Sequence, residues 1–281
     1  MSDGVTREGA EGYMTDYILA SPAEMERLRL QARAWEPDAE TMLDRIGIQP
    51  GWSCVDVGCG AMGILGPLRR RVGSTGRVVG IDREQPLLAA AHAYVREEGL
   101  SNVEILERDA LNTELPRAAF DFVHERCVFP HVDSPEAVLR EMIALAKPGG
   151  IIAVQEADQS SWNFYPPSPK WPRLKAIIEA AFGLRGDINI GRRTFVMLRQ
   201  AGLEGVTVRA AVLALQDGHP YMRLPIAGVS AMRKAIVEAG LSTDEELDDL
   251  LADVEQRAAD PDTIQITFTL TQVWGRKARS S

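Results

Sequence analysis

A carboxylate stands inside the apolar run Val55-Asp56-Val57, and the run ends at once in Gly58-Cys59-Gly60. An acid in a buried strand is costly unless it faces a polar or cationic group, so Asp56 must have a partner at the carboxyl end of its strand. Two glycines so close together let the chain turn sharply and let a ligand lie against bare backbone. A strand ending this way belongs to an open α/β sheet, whose ligand crevice lies at the carboxyl ends of its strands.

The chain beyond it repeats the same grammar. Residues 77–82 read as a second buried strand ending in Asp82, residues 103–110 as a third ending in Asp109-Ala110, and residues 120–126 as a fourth. Lys147-Pro148-Gly149-Gly150 turns into a fifth strand over 151–155. Helical patterns at 63–72, 85–98 and 135–146 lie between them, with Asp133 and Ser134 placed to cap the last. This alternation is the signature of a doubly wound, Rossmann-like parallel sheet. Further on, 170–184 and 191–200 read as helices, 206–215 as a sixth strand and 263–274 as a last one.

Gly58, Gly60 and Gly63 satisfy G-x-G-x-x-G, and Asp82 follows about twenty residues later, where a dinucleotide-binding unit carries its ribose acid. A nicotinamide- or flavin-dependent oxidoreductase is therefore one reading. In such proteins the strand entering the loop stays apolar to its end, whereas here Asp56 precedes the first glycine by two residues. With the five blocks in order, residues 45–158 resemble the class I S-adenosylmethionine-dependent methyltransferases, in particular those acting on small molecules in microbial natural-product pathways. The resemblance implies a seven-stranded sheet whose last strand lies antiparallel beside the fifth. It also implies a seat for S-adenosylmethionine and its product S-adenosylhomocysteine. Asp56 would lie near the methionyl ammonium, Gly58 and Gly60 would lie under the ligand, and Asp82 with Arg83 would hold the ribose. Asp109 and Ala110 would flank the adenine, and Glu125, at the end of the fourth strand, would also contact the cofactor. The family's loop commonly reads G-x-G-x-G, so Gly63 comes one residue late.

A net charge of −9 argues against a nucleic-acid footprint, which needs a basic stripe. Residues 1–12 are polar, and no apolar run is long enough to cross a bilayer, so no membrane partner is expected. Three cysteines without metal spacing fit a reducing cytoplasm, and the four scattered histidines give no metal site. Packing is the stronger reading of Cys59 and Cys127, because no activating base is evident. A homodimer is left open.

Three additions distinguish the chain from a minimal fold. They are a helical N-terminal lid over 1–45, and cap segments at about 158–185 and 216–262 within a main domain of 46–281. The cap and lid hold most of the aromatic residues, while the sheet region from 53 to 155 has no tryptophan. Broad, flat side chains suit a planar acceptor, so Trp162, Phe164 and Trp171 are candidate acceptor contacts. The lid resembles the N-terminal helix of natural-product methyltransferases, which makes Tyr17 and Gln31 candidates for cofactor contact. Tyr13, His131, Glu156 and Asp158 are the polar groups placed to orient an acceptor or take its proton. The expected activity is methyl transfer to an aromatic small molecule at carbon or nitrogen, indole-bearing acceptors included. Phenol O-methylation, oxidoreduction and non-catalytic cofactor binding are the alternatives.

Overall fold

The computed structural model describes residues 22–184 and 186–279, so Tyr13 and Tyr17 lie outside the described residues. The first helix, α1 (Pro22–Ala34), is followed after Trp35 by α2 (Glu36–Ile46). Ala39, Met42, Leu43 and Ile46 form an apolar stripe at helical spacing along α2. That helix stops at Gly47, whose φ of 76° lets its N–H return to the Leu43 carbonyl. The stripe packs against the sheet, whereas α1 packs on the cap helix α8 (Leu224–Glu238). The expected boundary at residue 45 therefore cuts the last turn of a core helix, and the break falls at Trp35 instead.

Seven strands form the main sheet: β1 (Ser53–Val57), β2 (Arg77–Asp82), β3 (Val103–Glu107), β4 (Phe120–Arg126), β5 (Ala146–Asp158), β7 (Glu204–Ala211) and β10 (Thr269–Arg276). Their order is β3-β2-β1-β4-β5-β10-β7, and β10 runs antiparallel to both of its neighbours, as expected for the last strand. Helices α3 (Leu65–Val72), α4 (Gln85–Glu97), α5 (Pro135–Leu145) and α7 (Gly191–Gln200) cover its two faces. One face carries Val55, Val123, Ile152 and Val154 and the other Cys54, Phe122, Ile151 and Ala153, the alternation that a sheet buried on both sides requires.

Two strands expected as single pieces each break. Residues 206–215 divide into β7 and β8 (Ala214–Gln216), and residues 263–274 into β9 (Ile264–Ile266) and β10. The breaks face each other: Leu213 N–H donates to Thr267 Oγ1 at 3.0 Å and Thr267 N–H to the Leu213 carbonyl at 3.0 Å. Both chains there leave the main sheet for a small one, ordered β6-β9-β8 with β6 at Asn163–Tyr165. Phe268 drives the change, because it is drawn into the cap core with its ring 5.2 Å from that of Trp35. The cap core also holds α6 (Trp171–Gly183), α8 and α9 (Asp244–Ala258).

Candidate active site

The loop after β1 is pinned from three directions. Cys59 N–H donates to the Ile81 carbonyl at 2.8 Å, Gly60 N–H to Asp82 Oδ2 at 2.9 Å, and Ile64 N–H to Asp56 Oδ2 at 2.9 Å. Gly58, Gly60 and Gly63 have φ of 65°, 56° and 44°, a region that side-chain-bearing residues avoid. Their reasons differ. A Cβ on Gly58 would overlap Val128, and one on Gly63 would overlap the Asp56 carboxylate, whereas one on Gly60 would meet nothing within 4 Å. Open space above bare backbone is what a flat ligand needs, and Gly60 alone of the three supplies it.

Asp82 stands at the rim of that space, 9% exposed. Burial raises its carboxyl, although N–H groups of Glu84, Gly60 and Arg83 oppose the shift. Its Oδ1 accepts from Glu84 N–H at 3.0 Å, and each oxygen keeps a lone pair for a hydroxyl donor. Arg83 leans on Glu84 at 3.1 Å and reaches Asp109 at 4.0 Å. Asp109 accepts from Leu111 N–H at 2.7 Å, and Ala110 is half-buried beside it. These groups line one end of the sheet with carboxylate acceptors beside the half-buried Ala110, which suits an adenosyl group.

The partner that Asp56 requires proves to be internal. His124, fully buried on β4, puts Nδ1 at 2.7 Å from Asp56 Oδ1 while Ile64 N–H takes Oδ2, and Asp56 is 1% exposed. Burial pushes the His124 pKa down against the pull of Asp56, so the ring is neutral and donates from Nδ1. Asp56 Oδ2 holds the loop and Oδ1 holds His124, so the partner that the buried carboxylate requires comes from the fold itself and not from a ligand ammonium.

At the ends of β4 and β5 lies a second acid pair. Cys127, at φ 58°, turns the chain so that Val128 N–H donates to Glu125 Oε2 at 3.0 Å and Phe129 N–H to Glu156 Oε1 at 2.8 Å. Both glutamates are fully buried, each carboxyl lies in the field of the other, and Glu125 Oε1 and Glu156 Oε2 have no partner among the described residues. Burial raises both; for Glu125 the neighbouring Glu156 charge adds to it, and for Glu156 the backbone N–H groups hold part of the rise back. Two carboxylates cannot both ionise at this range, so the pair holds a proton. The thiol of Cys127, raised by burial and by Glu156, and that of Cys59, raised by burial, carry no nucleophilic thiolate.

Other candidates sit elsewhere. Asp158 is clasped by Arg192 at 2.8 Å and by Ser160; burial would raise its carboxyl, but these bonds outweigh that and hold it low, so it is a structural ion pair and no base. Trp162, Phe164 and Trp171 are 5%, 2% and 3% exposed. They stack edge-on at ring separations of 5.1 and 5.0 Å, and Trp171 Nε1–H donates to the Trp162 carbonyl. They belong to the cap's own core and offer no face to an acceptor, because a packed core demands the same apolar bulk as a binding site. His131 is exposed in the short turn Phe129–His131, its ring edge-on to Phe182 at 6.4 Å. Gln31 on α1 accepts from Arg27 at 2.7 Å. Sequence reasoning missed His124, and also Arg126, which donates to the Gly63 carbonyl at 3.3 Å; the available signal was a run of polar side chains ending an apolar strand. Among the described residues there is no cluster fit for a metal ion, and no helix is long and apolar enough to cross a membrane.

Comparison with known proteins shows what this chain is similar to. A family model described as a methyltransferase domain matches residues 48–182. Over 123 residues the chain is 36% identical to the nocamycin O-methyltransferase of Saccharothrix syringae, covering 43% of each protein. It is 32% identical over 120 residues to the demethylmenaquinone methyltransferase of a Geobacillus species, covering 43% of this chain and 51% of that one. The matches thus span about half the length of these curated relatives or less. The crystal structure of the [4+2]-cyclase SpnF superposes with a TM-score of 0.59 at 21% identity, covering 96% of this chain and 97% of that one, a likeness of fold alone. Residues 48–182 are thus similar to a methyltransferase domain, and the sheet they begin is completed by β7 and β10 from beyond the matched segment.

Proposed function

We propose that this protein transfers a methyl group from S-adenosylmethionine to an aromatic small molecule, at a carbon or nitrogen atom that gives up a proton in the process. The observation that carries the reading is the open space over Gly60 with the Asp82 carboxylate at its rim and Gly60 N–H already bonded to it. Bound S-adenosylmethionine supplies an electrophilic methyl group on a sulfonium. Asp82 accepts from the ribose hydroxyls, Asp109 and Ala110 border the adenine, and the bare backbone at Gly60 admits the ligand closely, while the space beside Gly58 is taken by Val128. Tyr17 and Gln31 are proposed to close over it from the N-terminal side, and Tyr13 and His131 to face the acceptor.

The acceptor's proton goes to the Glu125–Glu156 pair. Burial makes Glu156 a stronger base than an exposed carboxylate, and its basicity near neutrality matches general-base work at ordinary pH. Glu125 keeps the proton that the pair already shares, and the backbone N–H groups of Val128 and Phe129 hold both carboxyls in place. O-methylation of a phenol is the second reading, favoured by the relative named for an O-methyltransferase.

Labelled-methyl incorporation tests this directly. Phenols, indoles, arylamines and quinols would be offered with labelled donor, and at least one should take the label, with Glu156→Gln reducing turnover by about 10²-fold or more. Binding of S-adenosylhomocysteine without incorporation into any acceptor would leave a cofactor-bound protein of other chemistry. Saturation by a pyridine nucleotide in its place would make it an oxidoreductase.

A further inference from the structure

One residue from each of five adjacent strands makes a continuous polar row on the face of the sheet that α2 covers. Arg209 on β7 pairs with Asp38 of α2 at 2.6 Å and donates from Nη1 to Gln272 Oε1 at 2.6 Å. Gln272 Nε2 donates to Gln155 Oε1 at 2.7 Å and to the Asp38 carbonyl at 3.1 Å. Gln155 Nε2 meets His124 Nε2 at 2.7 Å, His124 Nδ1 meets Asp56 Oδ1 at 2.7 Å, and Asp56 Oδ2 accepts from Ile64 N–H of the loop. Gln272 and Gln155, like His124, are fully buried.

The row has a direction imposed by its ends. A guanidinium can only donate, and a carboxylate can only accept. Arg209 therefore draws Gln272 Oε1 toward itself and turns its amide N–H to Gln155. Gln155 must then accept on that side and donate on the other, so His124 accepts at Nε2 and carries its proton on Nδ1, pointed at Asp56. Four strand spacings, about 19 Å in all, separate the residue that sets the direction from the carboxylate that receives it.

We propose that Arg209, acting through Gln272 and Gln155, fixes His124 in its Nδ1–H tautomer and so positions Asp56 and the loop it anchors. The inference rests on the reading of that loop as the seat of S-adenosylmethionine. None of the four touches a ligand; they are positioning residues. Without a donor-only group at its far end the row is held in that direction there only by the Asp38 carbonyl, which accepts from Gln272 Nε2 at 3.1 Å, and it can reverse. Gln155 then presents Oε1 to His124, which must carry a proton on Nε2. Nδ1 is left either facing Asp56 with a lone pair or sharing a charged ring with it, and in both cases the hold on Asp56 changes.

The test reads the tautomer and the ligand separately. Long-range ¹⁵N–¹H correlation on histidine-labelled protein at neutral pH is practical with four histidines in the chain. Wild-type His124 should show a protonated Nδ1 and an unprotonated Nε2. Arg209→Gln keeps polarity but loses direction; it should move the Nε2 signal toward a protonated or mixed form and weaken S-adenosylhomocysteine binding about tenfold. Arg209→Lys, donor-only again, should restore both. Should Arg209→Gln fail to fold, Gln272→Met, which cuts the row one link further in, takes its place. A purely structural role would lower the melting temperature and leave the tautomer alone. A wild-type His124 protonated on Nε2, or unchanged ¹⁵N signals and affinity in the variant, overturns the proposal. Failure of wild-type protein to bind S-adenosylhomocysteine overturns the reading of the site instead, and the ¹⁵N result still decides on the row.

Discussion

Gly60→Ala and Gly63→Ala add the same methyl group three residues apart and should fail in opposite ways. At Gly60 the backbone strain of φ 56° is the whole conformational cost, about 1–2 kcal/mol, because the new Cβ meets nothing within 4 Å. At Gly63 similar strain applies at φ 44°, but the Cβ would also overlap Asp56 Oδ2 and come within 2.9 Å of the Cys59 carbonyl oxygen. Asp56 cannot retreat, since His124 and Ile64 hold it, so the methyl must break the Ile64 N–H bond to a buried carboxylate. A charge-assisted bond of that kind contributes about 1.5–3 kcal/mol, which brings the Gly63 total to about 2.5–5 kcal/mol. That is a large share of the 5–15 kcal/mol, roughly, by which a domain is stable. Urea unfolding followed by tryptophan fluorescence measures both variants. Calorimetry with S-adenosylhomocysteine should show the reverse order, with Gly60→Ala intruding on the open space and weakening binding by about tenfold or more. If Gly63→Ala costs no more stability than Gly60→Ala, the explanation of the third glycine by the Asp56 carboxylate is wrong.

Asp82→Ala should weaken S-adenosylhomocysteine binding by about 1–3 kcal/mol in the same calorimeter, through loss of charge-assisted bonds to the ribose; an unchanged dissociation constant would refute the placement. The acid pair gives a pH signature. Burial pushes Glu156 up to about 7, so between its ordinary value of 4.5 and that point the folded state holds a proton that the unfolded chain has released, and stability falls as pH rises. Glu156→Gln should flatten that slope across the window, as urea titrations at several pH values would report. Trp171→Ala, emptying a 3% exposed site between Trp162 and Phe164, should cost about 3–5 kcal/mol in urea unfolding.

The parts of the fold legible in the sequence were those built from local pattern. β2 and β4 match the reading to the residue, whereas the third strand, read over 103–110, ends at Glu107, before Asp109 bridges to Asn112. β5 proved longer than 151–155, since its start is held by pairing with the chain after β10: Gly149 N–H donates to the Lys277 carbonyl at 2.9 Å. The division of the sixth and last strands was invisible for a similar reason, as the Leu213–Thr267 bonds join positions far apart in the chain. In the site, glycine spacing revealed the loop but not why Gly63 comes late, which depends on where the Asp56 carboxylate points. His124 and Gln155 looked like interruptions of apolar strands; each is satisfied only by a residue on another strand, and no short-range pattern records such a match.

The strand β10 has a bearing on how the chain reaches this state. It follows every other strand in sequence, yet it lies between β5 and β7 and bonds to both. While the chain is being made, β5 keeps a bare edge and β7 has no neighbour until residues 269–276 emerge. Closure of the sheet is thus a late, long-range event of the slow kind. Gln272 arrives with that strand, so a nascent chain has the loop and its carboxylate well before it has the link that joins them to α2.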